Sequence, residues 1–264
     1  MKRFIATAVF FLLVLLSIAG QSRAQDTAVS EEVKEQIEIL QSGTPKQKIN
    51  AARNLGDIGS EAAPSAVYLI ELLDSSEKHR SPLDKILNIV TIFGRFGDDI
   101  SDESQKALIR IGGSAVSPLS NALLSHPRST VRCNVATVLG NIKDVESVDA
   151  LVRALRTDAD CEVRICSAEA LGKMSERWSN DLLGNAVDAL IGALRDEDLN
   201  VRRKAANALG EMKTMKAVPA LIEALEIYGK KSRAGRALYK ITGRQLGNDP
   251  QKWQEWWDQN KPAE

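Results

Sequence analysis

"VRRKAANALGEM" occupies residues 201–212, and two near copies precede it, "VRICSAEALGKM" at 163–174 and "VRCNVATVLGNI" at 131–142. In each block the first, fifth, sixth, eighth and ninth places are apolar or small. In the last copy they are Val201, Ala205, Ala206, Ala208 and Leu209. On a helix that spacing draws one narrow stripe. Much of the stripe is alanine, which lets a neighbouring helix approach closely. Gly140, Gly172 and Gly210 follow the leucine in each copy and favour the same close approach or a relaxed last turn.

Each block has a simpler successor: "VDALVRAL" at 148–155, "VDALIGAL" at 187–194 and "VPALIEAL" at 218–225. Weaker copies lie upstream, "QKINAARNLGDI" at 47–58 with "AVYLIELL" at 66–73, and "VSPLSNAL" at 116–123. The first blocks start 32 and then 38 residues apart, within the range of repeat architectures. The second block carries apolar side chains around more of its circumference, as a helix wedged between neighbours should. One helix pair cannot bury its apolar stripe alone, whereas stacked pairs can. The pattern therefore predicts an all-α fold, an α-solenoid of antiparallel helix pairs.

These blocks resemble HEAT repeats, especially the bacterial subtype first noted in phycobilisome lyases. The resemblance spans about residues 45–245 and is strongest over 129–225. The chain is expected to divide into 1–24, a signal peptide; 25–44, an N-terminal segment and capping helix; 45–245, the repeats; and 246–264, a Trp-rich capping helix. At 80–112, "FGRFG" (93–97) and "IRIGG" (109–113) look like two helix ends close together, a divergent repeat with an added helix. Arg132, Arg164 and Arg202 hold the second place of the strong copies, and Asp160 and Asp198 lie three residues before Val163 and Val201. The resemblance implies that these acids and arginines form a ladder between adjacent repeats, each exposed pair contributing about 0–1 kcal/mol. A basic binding row is the alternative. Arg128 stands where the first copy would need its Asp.

Charge and composition exclude several functions. Aromatics are 5% of the chain and charged residues 27%, with a pI of about 6.8. No basic stripe marks a nucleic-acid binder. Lys2 and Arg3 precede an apolar run from Phe4 to Ala19, and "SRA" at 22–24 offers a cut site before Gln25. This is the layout of a secretory signal. The run is shorter than the ~20 residues of a spanning helix, although an uncleaved anchor is the rival. A chain cut there carries 32 basic and 35 acidic residues, a formal −3, and is expected to be periplasmic or secreted. Cys133, Cys161 and Cys166 read as small buried packers near helix starts, with export permitting one bridge.

Catalytic signatures are sparse. His79 and His126 are the only histidines, neither beside a Glu, so the paired His-Glu motif of repeat-built metal hydroxylases does not carry over. The spacing of Cys and His makes no zinc site, and no nucleophile elbow, phosphate loop or dinucleotide fingerprint appears. No cofactor is implied. Bilin-lyase activity does not follow from the family name, since fold does not fix function; an enzyme with loop-borne residues is the competing class. The functional surface is expected on the concave face lined by second helices. Its exposed places are Ser117 and Asn121, Asp149 and Arg153, Asp188 and Gly192, Pro219 and Glu223. That row is polar, mixed in sign and without aromatics, which suits a protein or peptide partner.

Two further stretches stand out. The second block starts 17 residues after the first at 131→148 and 201→218, but 24 after it at 163→187. The excess falls near "SERWSND" (175–181), a lengthened loop whose Trp178 packs on the rim or meets a partner. At the C-terminus, Asp249 and Pro250 signal a helix start. Trp253, Trp256 and Trp257 then share one face. They read as a terminal cap, with an aromatic platform for a ligand such as a glycan as the rival.

Overall fold

The computed structural model describes residues 29–74, 92–180 and 182–261. Among them every regular element is helical. The helices are α1 (Glu31–Ser42), α2 (Pro45–Ile58), α3 (Ala66–Glu71), α4 (Ile92–Ile111), α5 (Val116–Ser125), α6 (Ser129–Ile142), α7 (Val148–Thr157), α8 (Cys161–Met174), α9 (Gly184–Ala193), α10 (Leu199–Met212), α11 (Val218–Tyr228), α12 (Ala234–Thr242) and α13 (Pro250–Asn260). They stack in two layers. The first blocks form one layer, α2, α4, α6, α8, α10 and α12; the second blocks form the other, α3, α5, α7, α9 and α11. Single helices extend the second layer at both ends, α1 against α2 and α3, and α13 against α11. The fold is an all-α solenoid with one continuous apolar core.

The alanine–glycine pattern explains how the first layer stacks. A Cβ added at Gly140 would stand 2.7 Å from the Cα of Ala170, and one at Gly172 would stand 3.0 Å from that of Ala208. Gly56 meets Ala107 at 2.9 Å and Gly210 meets Ala237 at 3.1 Å in the same way. Each glycine of one helix thus seats the alanine of the next, at a separation where a side chain would crowd the neighbouring backbone. The preceding leucines, Leu55, Leu139, Leu171 and Leu209, are fully buried beneath these contacts, and so is Ala205.

One junction departs from the rule. Between α4 and α6 the register puts Ile109 at the glycine place and Val138 at the alanine place. These two helices lie together over a shorter stretch than the others. Polar contacts to the end of α3 bridge this region. Asn134 Nδ2 and Ser101 Oγ both donate to the Leu73 carbonyl, at 2.8 and 3.2 Å. Arg128 pairs with Glu71 at 3.1 Å and with Asp74.

Two expectations are corrected. "FGRFG" does not close a helix: it lies in the first turns of α4, which runs unbroken from Ile92 to Ile111. The expected added helix, His79 and residues 1–24 lie outside the described residues. Cys133 and Cys166 are not separate packers but are bonded to each other, with their Cα atoms 5.4 Å apart, while Cys161 remains free. The close Gly140–Ala170 contact holds α6 and α8 within reach of that bond.

The lengthened loop is a rim staple. In the two short repeats the first helix ends on a left-handed lysine, Lys143 (φ 56°) and Lys213 (φ 50°). In the long repeat Ser175 stays right-handed and the chain continues into the loop. Trp178 Nε1 donates to the Lys143 carbonyl at 2.7 Å, and Asn180 Nδ2 donates to the Met212 carbonyl at 2.9 Å. The loop therefore ties the C-terminal ends of both neighbouring first helices to its own.

Candidate partner-binding face

The ladder is present, but with different acids. Arg132 donates through Nε and Nη2 to both oxygens of Asp158, each at 2.8 Å. Arg164 does the same to Asp196, at 2.9 and 3.0 Å, and also reaches Glu197 at 3.2 Å. Each arginine also donates Nη1 backward to a carbonyl six residues earlier, His126, Asp158 or Asp196. Arg132 and Arg164 therefore each link two consecutive turns of the array, whereas Arg202 binds only the turn before its own helix. Asp160 and Asp198, expected as the partners, are instead helix N-caps. Their carboxylates accept from the backbone N–H of Glu162 and from those of Asn200 and Val201. The unpaired N–H groups of a first helical turn are the nearest donors to a residue at that place.

The pairs are also less exposed than expected, with side-chain accessibilities of 8% and 13% for Arg164 and Asp196. The Asp196 hydrogen bond holds the Arg164 proton more firmly than usual, and Asp158 does so for Arg132. The Ser129 hydroxyl, then the Glu162 N–H, hold the Asp160 carboxyl below the usual carboxylate range. The last ladder arginine, Arg202, has its guanidinium 4.3 Å from the Tyr228 ring centroid. At the other end, buried His126 replaces the acid of the Asp-x-Asp turn. Its Nδ1 accepts from the Arg128 N–H at 3.2 Å, and its Nε2 lies 3.4 Å from the Glu71 carboxylate. These arginines are ladder rungs, not a free basic row.

The second layer carries the expected polar row. Ser117, Asn121, Asp149, Arg153, Gly192 and Pro219 are exposed. Asp188 and Glu223 are less free than the sequence suggested: Asp188 pairs with Lys216 at 2.6 Å, and Glu223 takes the Arg195 Nε at 3.2 Å. A cavity of about 310 Å³ opens between α5 and α7, lined by Leu124, His126, Arg132, Arg153, Thr157 and Asp158 among others. A slighter depression between α9 and α11 sits beneath the Arg195–Glu223 pair. Among the described residues no three His, Cys, Asp or Glu side chains converge as metal ligands.

At the C-terminus, Asp249 caps α13 by accepting from Gln251 and Lys252, with Pro250 in the first turn. Trp253 is fully buried and donates Nε1 to the Gly247 carbonyl at 3.0 Å. Trp256 stands edge-on to it, with centroids 6.1 Å apart, and is half-buried like Trp257. Tyr239 occupies the glycine place of α12 and is 46% exposed, so the first layer ends on a side chain that would obstruct a further close junction.

The stacked pairs, the ladder and the polar second-layer face define a helical-repeat scaffold. The family of HEAT repeats matches residues 116–184 and 178–238, so this part of the chain is a HEAT-repeat array. Among solved structures, the complex of CpcE and CpcF of phycocyanin lyase from Nostoc sp. PCC7120 is similar at 18% identity, covering 69% of this chain and 98% of that one, with a TM-score of 0.50. An engineered protein matches at 22% identity over 81% of this chain and 98% of its own, with a TM-score of 0.45. A designed armadillo repeat protein in complex with the peptide (KR)4 matches at 20% identity over 81% and 100%, also with a TM-score of 0.45. No curated protein matches the chain. At these identities the likeness concerns the fold.

Proposed function

We propose that this protein is an exported, non-catalytic HEAT-repeat scaffold that holds a protein or peptide partner on its second-helix face. The observation that carries the reading is the division of labour between the two layers. The first layer spends its special residues, Gly, Ala, Arg and Asp, on stacking. The second layer presents a row of exposed polar side chains beside an open cavity. Repeat arrays use such extended surfaces to bind partners. Export is supported by the charged start, apolar run and "SRA" of residues 1–24, and by the Cys133–Cys166 bond, which suits an oxidising compartment. Among the described residues no helix is long and apolar enough to cross a membrane.

The test is affinity purification of the tagged chain from the exported fraction, followed by reconstitution of the complex from two purified components. A defined one-to-one or symmetric complex is expected. Turnover of a small molecule by the purified chain alone would make it an enzyme. Intact mass of the exported chain should show loss of residues 1–24; a full-length chain embedded in membrane contradicts export.

A further inference from the structure

We propose that the partner segment is acidic, and that Arg153 and Arg156 on α7 are its anchors; this rests on the partner-binding reading above. The argument comes from the register of the second layer. The ninth place of one second block reaches the sixth place of the next, as the ion pair between Arg195 and Glu223 shows. The same register sets Arg156 opposite Gly192, and Leu124 opposite Arg153. At Gly192 the internal acceptor is missing, and an added Cβ would meet no atom within 4 Å. At the junction before it the sixth place is Arg153 itself, and the ninth place facing it is Leu124, an exposed apolar side chain that offers no acceptor. Two arginines on one helix, three residues apart, thus both lack the partner that the array supplies at its next junction.

No other group compensates. Among the described residues neither guanidinium has an ion-pair partner, although both are exposed. Asp158, the nearest acid in the cavity wall, is occupied by both donors of Arg132. Asp149, one turn before Arg153, makes no ion pair with it. Like charges at this spacing repel, and that repulsion is relieved when an anion binds both. Guanidinium groups recognise carboxylates through paired, coplanar hydrogen bonds. The cavity of about 310 Å³ beside Arg153 gives an acidic side chain room to reach it from the open side.

The surroundings select the kind of anion. On the same layer Asp149 lies one turn before Arg153 on α7, Glu226 is exposed on α11, and Asp188 and Glu223 are held by Lys216 and Arg195. A polyphosphate backbone running along the face would meet these acids, whereas a peptide carrying a few carboxylates need only touch α7. The occupant is therefore an extended protein segment with clustered Asp or Glu.

Fluorescence anisotropy of labelled decaglutamate and decalysine, titrated with the chain of residues 25–264, tests this. Decaglutamate should bind in a salt-sensitive manner, and decalysine should not. Arg153→Glu with Arg156→Glu should weaken decaglutamate binding by about tenfold or more and confer binding of decalysine. The milder Arg153→Gln with Arg156→Gln guards against misfolding, and Lys204→Ala on the first layer should leave affinity unchanged. Decaglutamate that fails to bind, binds the reversed variant equally, or is matched by a decathymidylate probe overturns the inference. If the reversed variant still forms the reconstituted partner complex at full affinity, the anchors are wrong and the scaffold reading survives. A chain that forms no partner complex loses both.

Discussion

The first layer contains two kinds of junction. Between α6, α8, α10 and α12 a glycine seats an alanine, and the helices approach to backbone contact. Between α4 and α6 an isoleucine and a valine stand at those places, the helices meet over less of their length, and hydrogen bonds to Leu73 bridge the region. The residue pair at two positions thus decides whether a junction is steric and apolar or looser and polar. The tight segment, residues 129–242, is also where the ladder, the disulfide and the rim staple accumulate.

The largest test of this contrast is Arg164→Ala. It leaves Asp196 nearly buried without its cation and should cost about 3–5 kcal/mol, read as a lower urea midpoint. A loss under about 1 kcal/mol would reduce the ladder to surface decoration. Next comes a matched pair of substitutions. Gly140→Val forces a branched side chain into the backbone of Ala170 and should cost about 1–3 kcal/mol or more. Ile109→Val, at the same place of the loose junction, should cost about 1 kcal/mol or less. Equal effects would abolish the distinction.

These features were unequally legible. The close junctions are written locally, as Leu-Gly in one block and Ala in the next, so periodicity alone located the stacking face. The ladder was half legible. Asp158 and Asp196 recur as regularly as Asp160 and Asp198, and only the helix start shows which acid of each pair is taken by backbone N–H groups. An N-cap argument applied to "DAD" and "DED" would have found this. The Cys133–Cys166 pair depends on how α6 and α8 are offset, a three-dimensional quantity that no single block encodes. The freedom of Arg153 and Arg156 likewise emerges only when the second blocks are laid in register, where Leu124 and Gly192 interrupt the charge pairing.

Smaller effects sharpen the picture. Trp178→Ala should remove the tie to Lys143 and cost about 1–2 kcal/mol, with the loss seen as faster amide exchange at the C-terminal ends of α6 and α8. No change there, with capture of an identified partner abolished, would make the loop a partner contact. Asp160 supplies the slightest test. Its folded carboxyl titrates below the ordinary range because Ser129 and the Glu162 N–H favour the charged form. Its stabilisation is therefore complete above the unfolded carboxylate pKa, near 4 on the usual scale, and fades as pH falls through the lower folded value. Asp160→Ala should cost about 1 kcal/mol at neutral pH and progressively less at acid pH, checked by thermal melts across that range.

The division between a stacking layer and a binding layer is tested most directly by site-specific photo-crosslinking in cells. A photoreactive residue is placed in turn at Asn121 and Asp149 on the second layer, and at Glu169 and Glu211 on the first. All four positions are exposed. Discrete adducts with one partner from Asn121 and Asp149, and none from Glu169 or Glu211, are the predicted result. Adducts arising from the first-layer positions alone, or equally from both layers, would contradict the assignment of the second-helix face.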